Sequence, residues 1–238
     1  MLLHWKDGDY TAFEKMIGAV ADAGVIRVED LCELLDWSPT KLWRHRRQFR
    51  EAYLENPLAK RRLHRDGAEI VYLTEMGALF AKHFLSLPKP PQPVSHQTSH
   101  TLALVAILMR YIHRYGRDGA DWYSTREATD QLAYVRHVAL GESDADMRTG
   151  VVRPDAALKG QQGFWWIEYD NDTESARVIL HKLQRWAAAV EGLHESFRRV
   201  MWIAPTEKRR DQLADIWRRL QDDRADMQFF VAGEERWE

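Results

Sequence analysis

The order of predicted elements places this chain in the mixed α+β / α/β class, as a small helical part followed by a larger part built on a mixed sheet. Three observations carry that reading. Four prolines between Pro88 and Pro93 form neither helix nor central strand, so residues 88–93 read as an extended linker between 1–87 and 94–238. Residues 1–87 string short amphipathic helices around one Asp-Gly hairpin. From Val151 onward the pattern runs strand, turn, strand, helix, strand, helix, strand, which is the signature of an α/β layer.

In the first part, Tyr10 to Ala23 has helical periodicity (Phe13, Ile17, Val20) and stops at Gly24, and a second helix runs from about Glu29 to Leu35. Ser38-Pro39 then supplies an N-cap and a first-turn proline for a third helix. Asp66-Gly67 predicts a two-residue turn between strands 61–65 and 68–73, and a last helix starts at Thr74 with Leu79, Phe80 and Phe84 on its buried side. Two short helices, a basic third helix and a hairpin make a winged helix-turn-helix.

The charge follows these elements. The whole chain of 238 residues has a net charge of −2, yet Lys41 to Arg65 holds nine Lys or Arg against Glu51 and Glu55, a local +7. Such a segment either solvates a helix face or meets phosphate backbones. Its placement on the third helix and the wing favours double-stranded DNA as the partner. Arg61, Arg62 and Arg65 would contact phosphates, and Lys41, Arg44, Arg47 and Gln48 lie near enough to the helix start to reach base edges.

Composition excludes other classes. Hydrophobic residues at 45% and charged residues at 29% exclude disordered, collagenous and disulfide-scaffold chains. The one cysteine, Cys32, leaves no Cys-based zinc site and no intrachain disulfide. The apolar run Leu102 to Met109 is far short of the roughly 20 residues of a membrane span. An early charge at Lys6 interrupts any signal-peptide core, so a cytoplasmic protein without membrane insertion is expected. No Walker loop, Gly-x-Gly-x-x-Gly or Gly-x-Ser-x-Gly occurs.

In the second part an apolar helix spans about Thr98 to Tyr115, and 122–140 is ambiguous. Strands 151–158 and 164–169 flank a turn at 159–163, then come helix 173–190, strand 200–204, helix 207–220 and strand 227–231. A turn centred on Gln161-Gln162 makes opposed residues sum to 323. Asp155 then faces Glu168, and Arg153 faces Asp170. These four share one face, while Val152, Ala156, Leu158, Trp165, Ile167 and Tyr169 share the other, which reads as the core face. Opposed carboxylates repel unless a cation lies between them. Either Mg²⁺ or Mn²⁺ sits on Asp155, Glu168 and Asp170, or Arg153 and nearby lysines neutralise a structural cluster. Lys182 lies beside the buried stripe Ile179, Leu183, Trp186 and Val190. It is either a boundary lysine or a stabiliser of charge at a scissile phosphate, the third catalytic candidate with Asp155 and Glu168.

At Arg153-Pro154-Asp155, Glu168-Tyr169-Asp170, Thr173-Glu174-Ser175 and Lys182-Leu183 the chain resembles the replication-relaxation family, which includes the MobC-type conjugative and mobilisation relaxases. Leu73-Thr74 and Gly77 extend the resemblance into the first part. The resemblance implies a winged helix joined to a core similar to PD-(D/E)XK restriction endonucleases. Its expected activity is metal-dependent strand nicking of plasmid or mobile-element DNA at a transfer origin or similar site, with other relaxosome or transfer-system proteins as partners. It carries Asp155 and Glu168 over as metal-binding acids. Two departures stand out. The nuclease signature puts Lys two residues after the Glu, where this chain has Asp170, so Lys182 would be a migrated equivalent. The helix 98–115 also lacks an acid. The alternative function is a DNA-binding accessory or regulatory protein whose core does not cut.

Overall fold

The computed structural model of the protein describes residues 2–63, 67–87, 95–143, 152–161 and 163–237, apart from the side chains of Ser95 and His96. The expected linker 88–93, Arg65 of the wing and Gln162 of the second turn lie outside the described residues. The chain divides into two compact units, 1–115 and 116–238, so the helix after the proline-rich segment belongs with the first.

The first unit contains α1 (His4–Asp7), α2 (Ala12–Ala23), β1 (Val25–Arg27), α3 (Val28–Leu35), α4 (Pro39–Tyr53), β2 (Leu58–Arg62), β3 (Glu69–Leu73), α5 (Glu75–Phe84) and α6 (Ser95–Tyr115). Its three strands form an antiparallel sheet in the order β1-β3-β2. Thr11 and Glu14 form a reciprocal capping box at the start of α2, and Ser38 Oγ caps α4 by accepting from Lys41 N at 3.2 Å. The apolar faces of α2, α3 and α5 supply Ile17, Val20, Leu31, Leu34, Phe80 and Ala81 to one core.

Three details differ from the sequence reading. The strand β1 was not predicted, because three residues are too few to show alternation. In the hairpin, the last strand pair is Arg62 with Glu69, and Leu63 N donates to Ala68 O at 2.9 Å, so six residues separate the strands rather than two. On α5 the buried side chains are Ala78, Phe80 and Ala81, whereas Leu79 and Phe84 are exposed, Phe84 at 64%. Gly77 packs closely on Pro57. A Cβ there would lie 2.2 Å from the Pro57 carbonyl oxygen, so only glycine lets α5 approach β2 this closely. Thr74 makes the same junction, since its hydroxyl donates to Asn56 O at 2.6 Å and accepts from Gly77 N at 3.2 Å.

The second unit contains β4 (Asp121–Ser124), α7 (Thr125–Leu140), β5 (Ala156–Gly160), β6 (Gly163–Tyr169), α8 (Ala176–Val190), β7 (Arg199–Ala204), α9 (Glu207–Leu220) and β8 (Asp226–Val231). The ambiguous segment thus resolves into one short strand and a helix. The five strands lie in sequence order, β4-β5-β6 antiparallel and β6-β7-β8 parallel, as helical crossovers require. The β5–β6 register has the predicted sum, with Ala157 opposite Trp166.

Both faces of the sheet are buried, and here the sequence reading needs correction. Ala156, Leu158, Trp165 and Ile167 are at most 1% exposed, but so are Ala157 and Trp166 on the acidic face. That second face joins Ile179, Leu183, Trp186, Val190, Val200, Trp202 and Leu213 in the main core. A strand reading Phe-Trp-Trp-Ile without alternation is what two covered faces demand. The acidic residues therefore stand at the end of a core face.

Candidate functional site

The acids meet where β5 begins and β6 ends. The paired ladder ends at Ala156 opposite Ile167, but Asp155 N still donates to Ile167 O at 3.1 Å, and Asp155 lies near enough to Glu168 for its charge to act on it. Asp155 Oδ2 accepts from Tyr169 N at 2.8 Å, and the Thr125 hydroxyl donates to Asp155 O at 2.7 Å, so the start of α7 braces the same residue. Glu168 is 5% exposed. Its carboxylate accepts from the indole N–H of Trp186 on α8. Burial first, and then the Asp155 charge, push the Glu168 carboxyl well above the ordinary glutamate range, against the pull of Lys182 and the Trp186 donor.

Lys182 reaches this cluster from α8, as its offset from the buried stripe predicts. Its Nζ lies 2.8 Å from Glu174 Oε1. Burial works against the ammonium, but the Glu174 hydrogen bond and the charges of Glu168, Glu174 and Asp155 outweigh it and hold the pKa above the usual lysine value. Glu174 is a member that sequence reasoning noted only as part of a helix start. The cluster thus brings three carboxyl groups near one ammonium, with Glu168 buried and Asp155, Glu174 and Lys182 partly exposed.

Asp170 goes elsewhere. Its Oδ2 accepts from Arg209 Nε at 2.8 Å, and its Oδ1 accepts from Asp172 N at 2.7 Å. Arg209, 7% exposed on α9, also lies 3.2 Å from Asp172 Oδ1 and donates to Glu174 O at 2.9 Å. The cation on Asp170 is therefore Arg209, not the Arg153 that the register placed opposite it. Arg153 is exposed, and β5 starts only at Ala156. Sequence reasoning missed Arg209. The signal was weak, since eight of the fourteen residues of α9 are charged.

The basic residues in the first unit sit on α4 and on the β2–β3 hairpin. Arg44, Arg47 and Gln48 are exposed on α4, as are Arg61 and Arg62 on β2. Lys41 Nζ lies 5.0 Å from the centre of the Trp37 ring, and Lys60 Nζ lies 5.3 Å from that of Trp43, which Arg46 also approaches. Arg46 Nε donates to Leu58 O at 3.0 Å and so ties the helix to the hairpin. Gln48 Oε1 lies 2.9 Å from His45 Nδ1, and Arg47 has a loose partner in Glu51 at 3.8 Å. Burial, with the charges of Arg44 and Lys41, lowers the His45 pKa despite the Gln48 hydrogen bond.

Residues 33–200, well over half of the chain, match the profile described as Replication-relaxation. The chain belongs to the replication-relaxation family. The match spans α3 through the start of β7, so it takes in both the basic face and the acidic cluster. No curated protein and no solved structure matches the chain significantly. Among the described residues of this replication-relaxation protein, no helix is long and apolar enough to cross a membrane. No group of three or more His, Cys, Asp or Glu side chains among them is arranged to hold a metal ion.

Proposed function

We propose that this replication-relaxation protein binds duplex DNA of a plasmid or other mobile element and nicks one strand with the help of a divalent cation, as a MobC-type relaxase would. Family membership supports a role in plasmid or mobile-element replication or mobilisation. The order helix, strand, two helices and a two-stranded hairpin in the first unit supports a winged helix whose third helix is α4. The meander, helix and parallel strand of the second unit are in keeping with a PD-(D/E)XK-like core.

The observation that carries the catalytic reading is the convergence of Asp155, Glu168 and Lys182. Two hard carboxylate donors suit Mg²⁺ or Mn²⁺, which need few protein ligands, and Asp170 is already occupied by Arg209. A bound cation would polarise a phosphoryl oxygen and lower the pKa of a bound water. Around it the chain's own groups have defined tasks. Tyr169 N–H orients Asp155, the Trp186 indole orients Glu168, and Lys182, held by Glu174 at 2.8 Å, would turn from it to donate to charge developing on the phosphate.

The test is to incubate the full chain with supercoiled plasmid carrying DNA from its own genetic neighbourhood. Open circles forming only with Mg²⁺ or Mn²⁺ are expected. A second reading, the non-cutting DNA-binding accessory, draws on one specific observation: Lys182 is engaged by Glu174 at 2.8 Å. Full DNA binding with no open circles under any metal would favour it.

A further inference from the structure

Seven of the ten tryptophans are buried, and Trp217 packs partly buried against the core of the second unit. The two that remain, Trp37 and Trp43, are half-buried, and both belong to the neighbourhood of α4. Each is bracketed by basic side chains. Trp37 stands just before the Ser38 cap, with Lys41 Nζ 5.0 Å from its ring centre and the His45 ring 4.9 Å away at 45°. Trp43 lies toward the hairpin, with Lys60 Nζ of β2 at 5.3 Å and Arg46 Cζ at 5.6 Å. At about 100° per residue, the exposed Arg44, Arg47 and Gln48 form a strip about 100° wide along α4. Trp43 borders it on one side, and on the other lie Lys41 and His45, which touch Trp37. No acid occurs from Pro39 to Arg50, and Arg44, Arg50, Arg61 and Arg62 have no ion-pair partner among the described residues. The acids that do pair here are Glu51, 3.8 Å from Arg47, Glu69, 3.2 Å from Lys60, and Asp36, 3.8 Å from Lys6.

We propose that Trp37 and Trp43 are stacking platforms for unpaired bases, so that the α4 face takes single-stranded or locally opened DNA in preference to a fully closed duplex. The inference rests on the reading that DNA is the partner, and it names the form of DNA that this face selects. In a closed duplex each base face is covered by its neighbours and offers an indole nothing to stack on, whereas an unpaired base has a free π face. A cationic surface that tracks the backbone, with aromatic rings beside it, is the general construction for binding single strands. Here the exposed arginines supply phosphate contacts, which serve both forms of DNA alike. The rings at the two borders of the strip are what separates the forms. Lys41 and Lys60 cover ring faces in the free protein. Both are long and flexible, so each exchanges the ring for a neighbouring phosphate as a base arrives.

The experiment is fluorescence anisotropy with the full chain at about 100 mM salt and three labelled probes: a thymidine oligomer of about 20 nucleotides, a closed duplex of about that length, and the same duplex with about six unpaired central positions. Wild type should bind the opened duplex more tightly than the closed one. W37L and W43L keep an apolar side chain but lose the indole face. Each should weaken binding of the oligomer and the opened duplex by roughly 5- to 100-fold and leave the closed duplex within about twofold. Equal losses on all three probes would make the tryptophans mere supports of the helix and overturn the proposal, as would no loss on any. Wild type that binds the closed duplex but neither of the others also overturns it and leaves the winged-helix reading intact, whereas no binding to any probe removes both. R44Q/R47Q should weaken all three probes together, and wild-type binding by it would remove α4 as the surface. Where W43L melts early, W43F decides: the retained ring should hold the opened duplex more tightly than W43L does, and equal binding by both would overturn the proposal.

Discussion

Two carboxylates at the end of β6, two residues apart, are equally buried, Glu168 at 5% and Asp170 at 6% exposure, yet they live in opposite electrostatic surroundings. Asp170 is locked by Arg209, whose side chain is itself 8% exposed, and by the backbone of Asp172. Glu168 faces a second carboxylate, and the one ammonium near it is shared with Glu174. A protein pays for a buried ion pair with desolvation, and the first corner is closed in this structural way. The second corner brings two carboxyl groups together beside one shared ammonium, and it is this corner that the proposed cation would occupy.

Breaking the compensated corner should have the largest effect. Arg209→Ala leaves Asp170 buried without its partner, and a loss of about 3–5 kcal/mol is expected in urea unfolding at neutral pH. Because Arg209 also holds Glu174 O, the loop 170–174 should lose protection in hydrogen exchange at the same time. A loss below about 1 kcal/mol would show that Asp170 is not held as described.

Altering the open corner should cost less. Trp186→Phe removes the donor to Glu168 and leaves a small gap in the core, for a loss of about 1–3 kcal/mol. Without the indole N–H, the Glu168 carboxyl should titrate at a still higher pH, which carbon-detected NMR would read directly.

The smallest effect, and the one of opposite sign, belongs to Glu168→Gln. A carboxyl whose folded pKa lies above its unfolded value favours folding most at low pH, and that contribution is lost as pH rises through the folded value. The amide has no charge to bury, so its apo stability should match wild type near pH 4 and equal or exceed it increasingly toward about pH 8. A variant markedly less stable than wild type at all pH values would mean that Glu168 is itself a compensated structural charge.

The contrast between the corners was half legible in the sequence. The hairpin register could be counted from a turn centred on Gln161-Gln162, and it holds as far as Ala156 opposite Ile167, which leaves Asp155 near Glu168. Helical periodicity put Lys182 beside that pair, and Ser38-Pro39 marked the basic helix. The partner of Asp170 was not legible, because Arg209 comes 39 residues later in a helix crowded with charge. Neither was the burial of the acidic face, since Ala157, Phe164 and Trp166 fill it by packing under α8, a tertiary fact that strand alternation does not encode. The exposure of Phe84 and Leu79 escaped for a related reason: periodicity marks apolar positions along a helix but not which of them the neighbouring elements cover.

The central proposal, that Asp155 and Glu168 form a carboxylate pair that holds a divalent cation, is tested most directly by calorimetric titration of Mn²⁺ into the full chain without DNA. One site is expected in the wild-type protein, weakened at least tenfold in Asp155→Asn and in Glu168→Gln and retained in Arg44→Gln. No saturable binding to wild type at millimolar Mn²⁺, or undiminished binding by both acid variants, would contradict the account.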